Sequence, residues 1–280
     1  MKWKQFFTPI SSINWEEAHQ LVAQTSEQDV ILLDVRQPKE YTRGHLPGAK
    51  LIPLGDLENR LAELEKDQPI VIYCASGVRS RVAAQSLMGK GFSKVFNLTG
   101  GIKAWKKEVA VGSEDTGLYL FSSEGSPEEA VITGFGLEMG LRDFYLSMQS
   151  RVSRESTKAL FGKLAGIEIL HQERLVELYT EITGTAHTMT EFAEKIVEPA
   201  MEGGLSTEDF LGLYKVDLDS ELEVLGLALA IEAQALDLYL RAAERSDNGN
   251  TSKVLLQIAE EERTHIARLS NYIDDQQDLT

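Results

Sequence analysis

Residues 70–81 have the sequence IVIYCASGVRSR, which contains Cys74, the only cysteine of the chain. The apolar run Ile70–Tyr73 is typical of a buried strand. The residues after Cys74 are small, and helical spacing follows from Ser80 onwards. The segment therefore predicts a strand that ends in a tight loop, with the cysteine at the start of the loop and a helix behind it.

The pattern around this segment extends the prediction to the first 108 residues. Further apolar runs at 30–35 and 94–97 are candidate strands, and helical spacing occurs at 57–64 and 80–88. Strands that alternate with helices at this interval indicate an α/β domain with a mainly parallel sheet and helices on both faces.

The composition changes near residue 109. Residues 111–127 are rich in glycine, serine and proline, which is typical of turns and linkers. Ser126-Pro127 followed by two glutamates then indicates a helix start. We therefore predict a first domain at 1–108, a linker at 109–126 and a second domain at 127–280.

The second domain has helical spacing almost throughout. Its pattern predicts four long helices, at 127–151, 154–183, 219–245 and 251–275. The connection 184–218 is too long for a tight turn, so we expect it to cross the bundle with short helices of its own. The expected fold is an all-α four-helix bundle.

The charge is distributed unevenly between the two halves. The net charge is −16, but residues 1–108 hold 15 basic and 12 acidic residues, whereas the remainder holds 13 basic and 32 acidic. An acidic half argues against a nucleic-acid partner. No apolar run is long enough to span a bilayer, so no membrane partner is expected. A lone thiol without a visible export signal suggests the reducing cytoplasm.

The surroundings of Cys74 favour a reactive thiolate. A helix N-terminus with unpaired amides attracts an anion, and Arg79 and Arg81 add positive charge. Small residues at Ala75, Ser76 and Gly77 allow the backbone amides to surround the sulfur. A cysteine at a strand end is often inert core, but the glycine and the arginines favour a lowered thiol pKa.

Residues 1–108 resemble a single rhodanese domain. The matching motifs, in order along the chain, are Leu33–Arg36, Glu40-Tyr41, Gly44–Ala49, the Cys74–Arg79 loop and Gly100–Trp105. This resemblance implies that Cys74 takes a sulfane sulfur from a donor, holds it as a persulfide and passes it to a thiol acceptor. It implies a catalytic pair, Cys74 and Arg79, and substrate-binding residues Ala75, Ser76, Gly77, Val78 and Arg81.

The length of the loop bears on a rival reaction. Cysteine phosphatases of related fold have one more residue between cysteine and arginine, because phosphate is bulkier than a sulfur atom. Here four residues separate Cys74 from Arg79, which favours sulfur transfer over phosphate or arsenate chemistry. A catalytically idle domain that binds a partner is a further alternative.

The second domain contains an internal repeat of metal-ligand residue types. A single offset of 94 positions relates three pairs: Glu138 and Glu232, Glu168 and Glu262, and His171 and His265. A glutamate and a histidine three residues apart lie on one helix face. One Glu-x-x-His is weak evidence, because chance and surface polarity supply many. Matched positions on four helices make coincidence a poor explanation.

The six residues form a suitable shell for two metal ions. Four carboxylates and two imidazoles on four helices correspond to the di-iron arrangement of ferritin-like bundles. Iron is favoured over zinc because carboxylates dominate and no thiolate takes part. Glu232 lies in the apolar stretch 228–233, where a carboxylate needs a partner or a metal. We therefore expect two iron ions, although other divalent metals are possible.

Residues 127–280 resemble the ferritin-like domain of the rubrerythrin family, with two departures. Peroxide-reducing members carry a further glutamate on the third helix, where this chain has Leu229 and Ala235. The four-cysteine iron domain of that family is also missing from this sequence. The resemblance leaves an oxidase, a peroxide or oxygen sensor, or simple iron binding, and it implies a homodimer formed through the bundle.

The sequence thus predicts a sulfurtransferase at Cys74 coupled to a di-iron carboxylate site with an oxidase, peroxide-linked or sensing role. The fusion of the two domains is the only basis for that coupling. The alternative is a metal-binding redox sensor or sulfur carrier whose bundle mainly mediates dimerisation.

Overall fold

A computed structural model describes residues 10–24, 30–105, 109–195, 212 and 216–277. The chain divides into two compact units, Met1–Glu114 and Asp115–Thr280. The boundary between them falls inside the stretch predicted to be a linker.

The first unit is built on a five-stranded parallel sheet. The strands are β1 (Ser11–Ile13), β2 (Ile31–Asp34), β3 (Lys50–Leu51), β4 (Ile70–Tyr73) and β5 (Val95–Leu98). Their order across the sheet is β1-β5-β4-β2-β3, and each neighbouring pair is parallel. The predicted α/β class is confirmed, and β4 lies at the centre.

Helices cover both faces of this sheet. They are α1 (Trp15–Gln24), α2 (Pro38–Tyr41) and α3 (Val78–Gly89). Ile70 and Ile72 pack into one apolar cluster, whereas Val71 and Tyr73 pack into another. Alternate side chains of a strand point to opposite faces, so β4 is buried on both sides.

One predicted helix of the first unit takes a different form. Residues 57–64 form two short 3₁₀ turns, Leu57–Asn59 and Leu61–Glu63. Arg60 leaves helical geometry between them, and its Nη1 donates a hydrogen bond to the Leu51 carbonyl over 3.0 Å. The helix predicted here is therefore replaced by two 3₁₀ turns, and Arg60 between them contacts β3.

The second unit is a bundle of long helices. They are α4 (Pro127–Arg151), α5 (Glu155–Thr183), the short α6 (Met189–Ala193), α7 (Glu221–Arg245) and α8 (Gly249–Gln277). The helix start predicted at Ser126 is present: Ser126 caps α4, and Glu129 bonds back to the Ser126 amide. Of the predicted crossover, residues 196–211 and 213–215 lie outside the described part of the chain.

The apolar core of the bundle consists of two clusters. One contains Phe135 and Ile258, and the other contains Leu141 and Leu164. On α4, the boundary between the two clusters coincides with Glu138, which is itself buried. The core is therefore interrupted at mid-height by polar side chains. Among the described helices, none is long and apolar enough to cross a membrane.

Candidate cysteine and metal sites

Cys74 begins the loop between β4 and α3, and two glycines set the shape of that loop. Gly77 caps α3 with φ +89, and a Cβ there would meet backbone atoms of Gly100 and Leu98 at 3.1 and 3.2 Å. A Cβ on Gly101 would lie 2.2 Å from the Cys74 carbonyl oxygen. The Gly100-Gly101 backbone therefore packs directly against the loop, where only glycine fits.

Cys74 is 1% exposed, and its sulfur accepts hydrogen bonds. The Gly77 amide donates to Sγ over 3.2 Å, and the Ser80 hydroxyl lies 3.5 Å from it. Burial on its own raises the pKa of the Cys74 thiol. Hydrogen bonds from the Ser80 hydroxyl and from the amides of Ser80, Ser76 and Gly77 outweigh burial and leave the pKa lowered. The loop thus stabilises an anion on sulfur.

Ser80 and Asn97 are two residues of this site that sequence reasoning missed. Both are buried, and Ser80 Oγ lies 2.7 Å from Asn97 Oδ1 as well as near the sulfur. A hydroxyl has a single proton to donate. If the Asn97 amide turns over, its NH₂ donates to Ser80, whose proton is then available to Cys74. The one available signal was a polar residue within the apolar strand β5.

Arg79 does not direct its guanidinium at the sulfur alone. Its Nη1 and Nη2 form two hydrogen bonds with the Glu40 carboxylate, at 2.7 and 2.6 Å. This bidentate pair outweighs the opposing effect of burial and lowers the pKa of Glu40 to about 2. The pKa of Arg79 is raised chiefly by Glu40 and to a lesser extent by Cys74. The predicted catalytic arginine is therefore close to the loop, but its charge is balanced by a carboxylate.

Arg81 is one of the predicted substrate-binding residues. With Ser76, Gly77 and Val78 it lines an open cavity of about 580 Å³ beside the loop, which also reaches Asn97. Arg81 has no ion-pair partner among the residues that the structure describes. Of the predicted substrate-binding residues, only Ala75 is not part of this lining. The cavity therefore offers an unpaired cation next to the amides that face the sulfur.

The structure gathers the six predicted metal ligands into two groups. In each group, one potential ligand atom per residue lies within 4.8 Å of the others. One group combines α4 with α5, and the other combines α7 with α8. They are Glu138, Glu168 and His171, and Glu232, Glu262 and His265.

The two groups are adjacent and alike. His171 Nδ1 lies 2.8 Å from Glu168 and 3.5 Å from Glu138, whereas His265 Nδ1 lies 3.2 Å from Glu262 and 3.5 Å from Glu232. The two imidazole rings stack with their centroids 3.5 Å apart and their planes within 2°. The sequence repeat is thus a spatial repeat, with the two halves meeting at the histidines.

The donor set fits two cations. Buried Oε2 atoms of Glu138, Glu168 and Glu232 have no hydrogen-bond partner among the described residues. The contact of 2.8 Å between Glu168 and His171 is short but lacks hydrogen-bond geometry. Buried carboxylates without such partners are costly unless a cation compensates them. Four carboxylates and two imidazoles supply that compensation for iron-type ions.

Without a metal, the electrostatics around Glu168 and His171 favour bound protons, whereas the pKa of Glu232 is lowered because the effect of His265 opposes burial. Burial lowers the pKa of His171, but the nearby carboxylates of Glu138 and Glu168 outweigh this and raise it to about 11. Burial raises the pKa of Glu168 well above its ordinary value, against the opposing effect of His171. Metal ions would have to displace these protons in order to bind.

The structure also describes the two positions where a further glutamate is expected in peroxide-reducing rubrerythrins. Leu229 and Ala235 are buried apolar residues of α7. No carboxylate is therefore contributed from these two positions, one turn to either side of Glu232.

Comparison with known proteins identifies the first unit. The family model for the rhodanese-like domain matches residues 17–108. A sulfurtransferase from Allochromatium vinosum is 41% identical over 98 residues, which cover 35% of this chain and 90% of that protein. The chain belongs to the rhodanese-like family.

Other relatives match the same rhodanese-like domain. The thiosulfate sulfurtransferase GlpE of Pseudoalteromonas translucida is 38% identical over 92 residues, which cover 31% of this chain and 88% of that protein. The crystal structure of a rhodanese-like domain protein from Staphylococcus aureus is 31% identical, covering 37% of this chain and all of that one, with a TM-score of 0.35.

The bundle carries a rubrerythrin domain fused to the rhodanese-like domain. The family model for rubrerythrin matches residues 223–279. This match covers nearly all of α7 and α8, including Glu232, Glu262 and His265. The other three ligands lie outside the matched range, on α4 and α5, where the offset of 94 places their counterparts. A di-iron site is thus implied by the family and by the residues that the structure brings together.

Proposed function

We propose that this protein is a sulfurtransferase that forms a persulfide on Cys74, and that its bundle holds a di-iron centre with an oxidase, peroxide-linked or sensing role. The observation that carries the first part is the loop around the sulfur, where the Gly77 amide donates to Cys74 and the thiol pKa is lowered. The names of the relatives of this domain support the same reaction class.

The first half-reaction loads the cysteine. With thiosulfate as the donor, the Cys74 thiolate attacks the outer sulfur, the S–S bond of thiosulfate breaks and sulfite leaves with the electron pair. The product is a persulfide anion on Cys74, and total charge is unchanged. The amides of Ser76, Gly77 and Ser80 stabilise the attacking thiolate and are already in place before the reaction, so this stabilisation needs no reorganisation.

The second half-reaction transfers the persulfide sulfur from Cys74 to a thiol acceptor. A thiolate acceptor attacks the terminal persulfide sulfur, the bond to Cys74 Sγ breaks, and the cysteine leaves as a thiolate. The open cavity beside the loop is lined by Ser76 and Gly77, whose amides face the sulfur, and Arg81 in the same lining would attract anionic donors and acceptors. The reaction is redox-neutral, so the rhodanese-like domain needs no cofactor for it.

In the bundle, Glu138, Glu168 and His171 would hold one iron ion, and Glu232, Glu262 and His265 the other. Such a pair of ions would supply electrons to oxygen or peroxide, or exchange electrons with a sulfur species. The carboxylates would balance the charge of the cations, and apolar clusters lie on either side of the centre along the bundle.

The test uses the full chain. Incubation with thiosulfate should add one sulfur atom to Cys74, detected by mass spectrometry, and release sulfite in equal amount. Cys74→Ser should abolish both signals while leaving the iron content unchanged. Retained sulfurtransferase activity in Cys74→Ser would refute the assignment.

A second role is favoured by the apolar residues Leu229 and Ala235, because neither neighbouring turn supplies the one further glutamate that a peroxide-reducing centre would have. In this role the bundle is a metal-dependent redox sensor, or mainly a dimerisation module, and Cys74 is a sulfur carrier. Metal analysis of the wild type beside Glu168→Ala and Glu262→Ala, with sedimentation to detect a homodimer, separates the roles. A dimer without metal would favour the dimerisation module.

A further inference from the structure

A cavity of about 310 Å³ opens beside the metal ligands of the bundle. Four ligands contribute to its lining, and most of its other walls are apolar side chains of α5, α7 and α8. These ligands are Glu168, His171, Glu232 and His265. An apolar cavity with a few convergent polar groups is the usual form of a small-molecule site.

The position of the cavity follows from the directions of two helices. His171 of α5 stacks on His265 of α8. Arg174, one turn later on α5, forms an ion pair of 3.1 Å with Glu261, one turn earlier on α8. The helices are therefore antiparallel, and residues 160–168 of α5 lie opposite residues 268 onwards of α8.

The gap between α5 and α8 differs on the two sides of the histidine pair. On one side Arg174 closes it by pairing with Glu261, and it also contacts Glu177 and Glu181 of its own helix. On the other side the gap is the cavity, whose lining includes Tyr272 and six aliphatic residues. The aliphatic residues are Leu160, Leu164, Ile167, Leu170, Leu225 and Leu269.

Two cations flank the open side. Lys163 and Arg268 line the cavity and are exposed. Neither has a hydrogen bond or an ion pair with any residue in the described ranges. The chain from residue 109 onwards has 13 basic against 32 acidic residues, and two of these basic residues lie on this one cavity.

We propose that this cavity binds an amphiphilic anion whose acid group pairs with Lys163 and Arg268 and whose apolar chain lies among the leucines beside the metal ligands. An uncharged apolar molecule would leave the two cations without a role, and a small hydrophilic anion would leave the aliphatic walls in contact with water. The inference rests on the proposed di-iron role only in making this ligand a candidate substrate or effector of that centre, since binding itself needs no metal.

The first test is calorimetric titration of the full chain, metal-free and iron(II)-loaded, with decanoate, 1-decanol and decylammonium below their aggregation concentrations. Decanoate should bind about fivefold or more tighter than decanol, because two exposed charge pairs add a modest free energy. Decylammonium should bind more weakly than either. Equal affinities for the three ligands, or no binding of decanoate, would overturn the proposal.

Variants locate the acid group. The double variant that combines Lys163→Gln with Arg268→Gln should reduce decanoate affinity about fivefold and leave decanol affinity unchanged. The control pair Arg151→Gln and Lys253→Gln removes the same charge from exposed positions that do not line the cavity, and it should have little effect. Ile167→Glu, at a position that is 39% exposed, should weaken decanoate binding further by repulsion. An equal loss in the control pair contradicts the assignment.

Iron content and sedimentation keep the outcomes distinct. If decanoate binds to a protein that takes up no iron, the di-iron role fails and the cavity assignment stands. If iron binds but decanoate does not, the cavity assignment fails and the di-iron role stands. A dimer that the Lys163 and Arg268 variants weaken, in a protein that does not bind decanoate, would assign this face to a second copy of the chain and overturn the proposal.

Discussion

The hydroxyl oxygen of Ser80 lies 3.5 Å from the sulfur of Cys74. Ser80 is on the first turn of α3, so the same turn that supplies amides to the loop also supplies a side-chain donor. Asn97 of β5 accepts or donates at the other side of this hydroxyl, 2.7 Å away. The stability of an anion at Cys74 therefore depends on a neighbouring strand as well as on the loop.

Ser80→Ala should raise the pKa of Cys74. The wild-type pKa is lowered because hydrogen bonds stabilise the thiolate, so removing one donor shifts the balance towards burial, which disfavours charge. The midpoint of the pH profile for iodoacetamide alkylation should move upward by about half a pH unit. Ser76→Ala is the matched control, because the amide of Ser76 is the donor and survives the change. An unchanged midpoint in Ser80→Ala would remove Ser80 from the site.

Glu40→Gln should strengthen the binding of anionic sulfur donors. Arg79 is held by two hydrogen bonds to Glu40 at the loop, so a neutral partner leaves its charge available to thiosulfate. The KM for thiosulfate should fall about two- to fivefold, which corresponds to a modest electrostatic gain at a half-exposed pair. Glu63→Gln, which removes a similarly exposed ion pair with Arg60, should leave the KM unchanged. A KM that rises in Glu40→Gln would show that the pair serves to order the loop.

Gly101→Ala should destabilise the first unit far more than Gly91→Ala. Both glycines have positive φ, so each alanine carries backbone strain of about 1–2 kcal/mol. Only at Gly101 would the Cβ meet other atoms, at 2.2 Å from the Cys74 carbonyl. Thermal or denaturant unfolding should show an additional loss of roughly 2–4 kcal/mol for Gly101→Ala. Equal losses in the two variants would contradict the close packing beneath the loop.

Glu168→Gln should separate metal binding from stability. Burial raises the pKa of Glu168, and one of its oxygens has no hydrogen-bond partner in the described structure. A neutral amide of the same shape should therefore cost the metal-free protein little and can stabilise it by about 1 kcal/mol. The same change should reduce the iron content of the loaded protein. Glu173→Gln, at an exposed position of the same helix, should alter neither quantity, and a loss of metal-free stability only in Glu168→Gln would contradict the prediction.

Acid should release metal from the bundle. The pKa of His171 is raised to about 11 by Glu138 and Glu168, so the metal-free site holds a proton on this ring at neutral pH. A metal ion must displace that proton, and its apparent affinity should fall as the pH falls. Iron retained after dialysis at a series of pH values measures this, and affinity that rises with acidity would contradict it.

The features that could be predicted from the sequence are those whose physical cause is local. Cys74 and its loop follow from a strand, small residues and a helix start within twelve positions. The metal ligands follow from the helical period, because residues three apart share a face, and a repeat of 94 carries the same pattern to the other half of the bundle. The four long helices were found for the same reason.

The remaining features depend on residues that are distant in the chain. Arg79 turns to Glu40, 39 positions away, because a bidentate carboxylate competes with the sulfur for its guanidinium. Asn97 reaches Ser80 because β5 lies next to β4 in the sheet. The cavity between α5 and α8 exists because their antiparallel alignment places Arg174 opposite Glu261 on one side of the histidines and leucines on the other. Such long-range partners depend on the packed geometry, and no local period encodes that geometry.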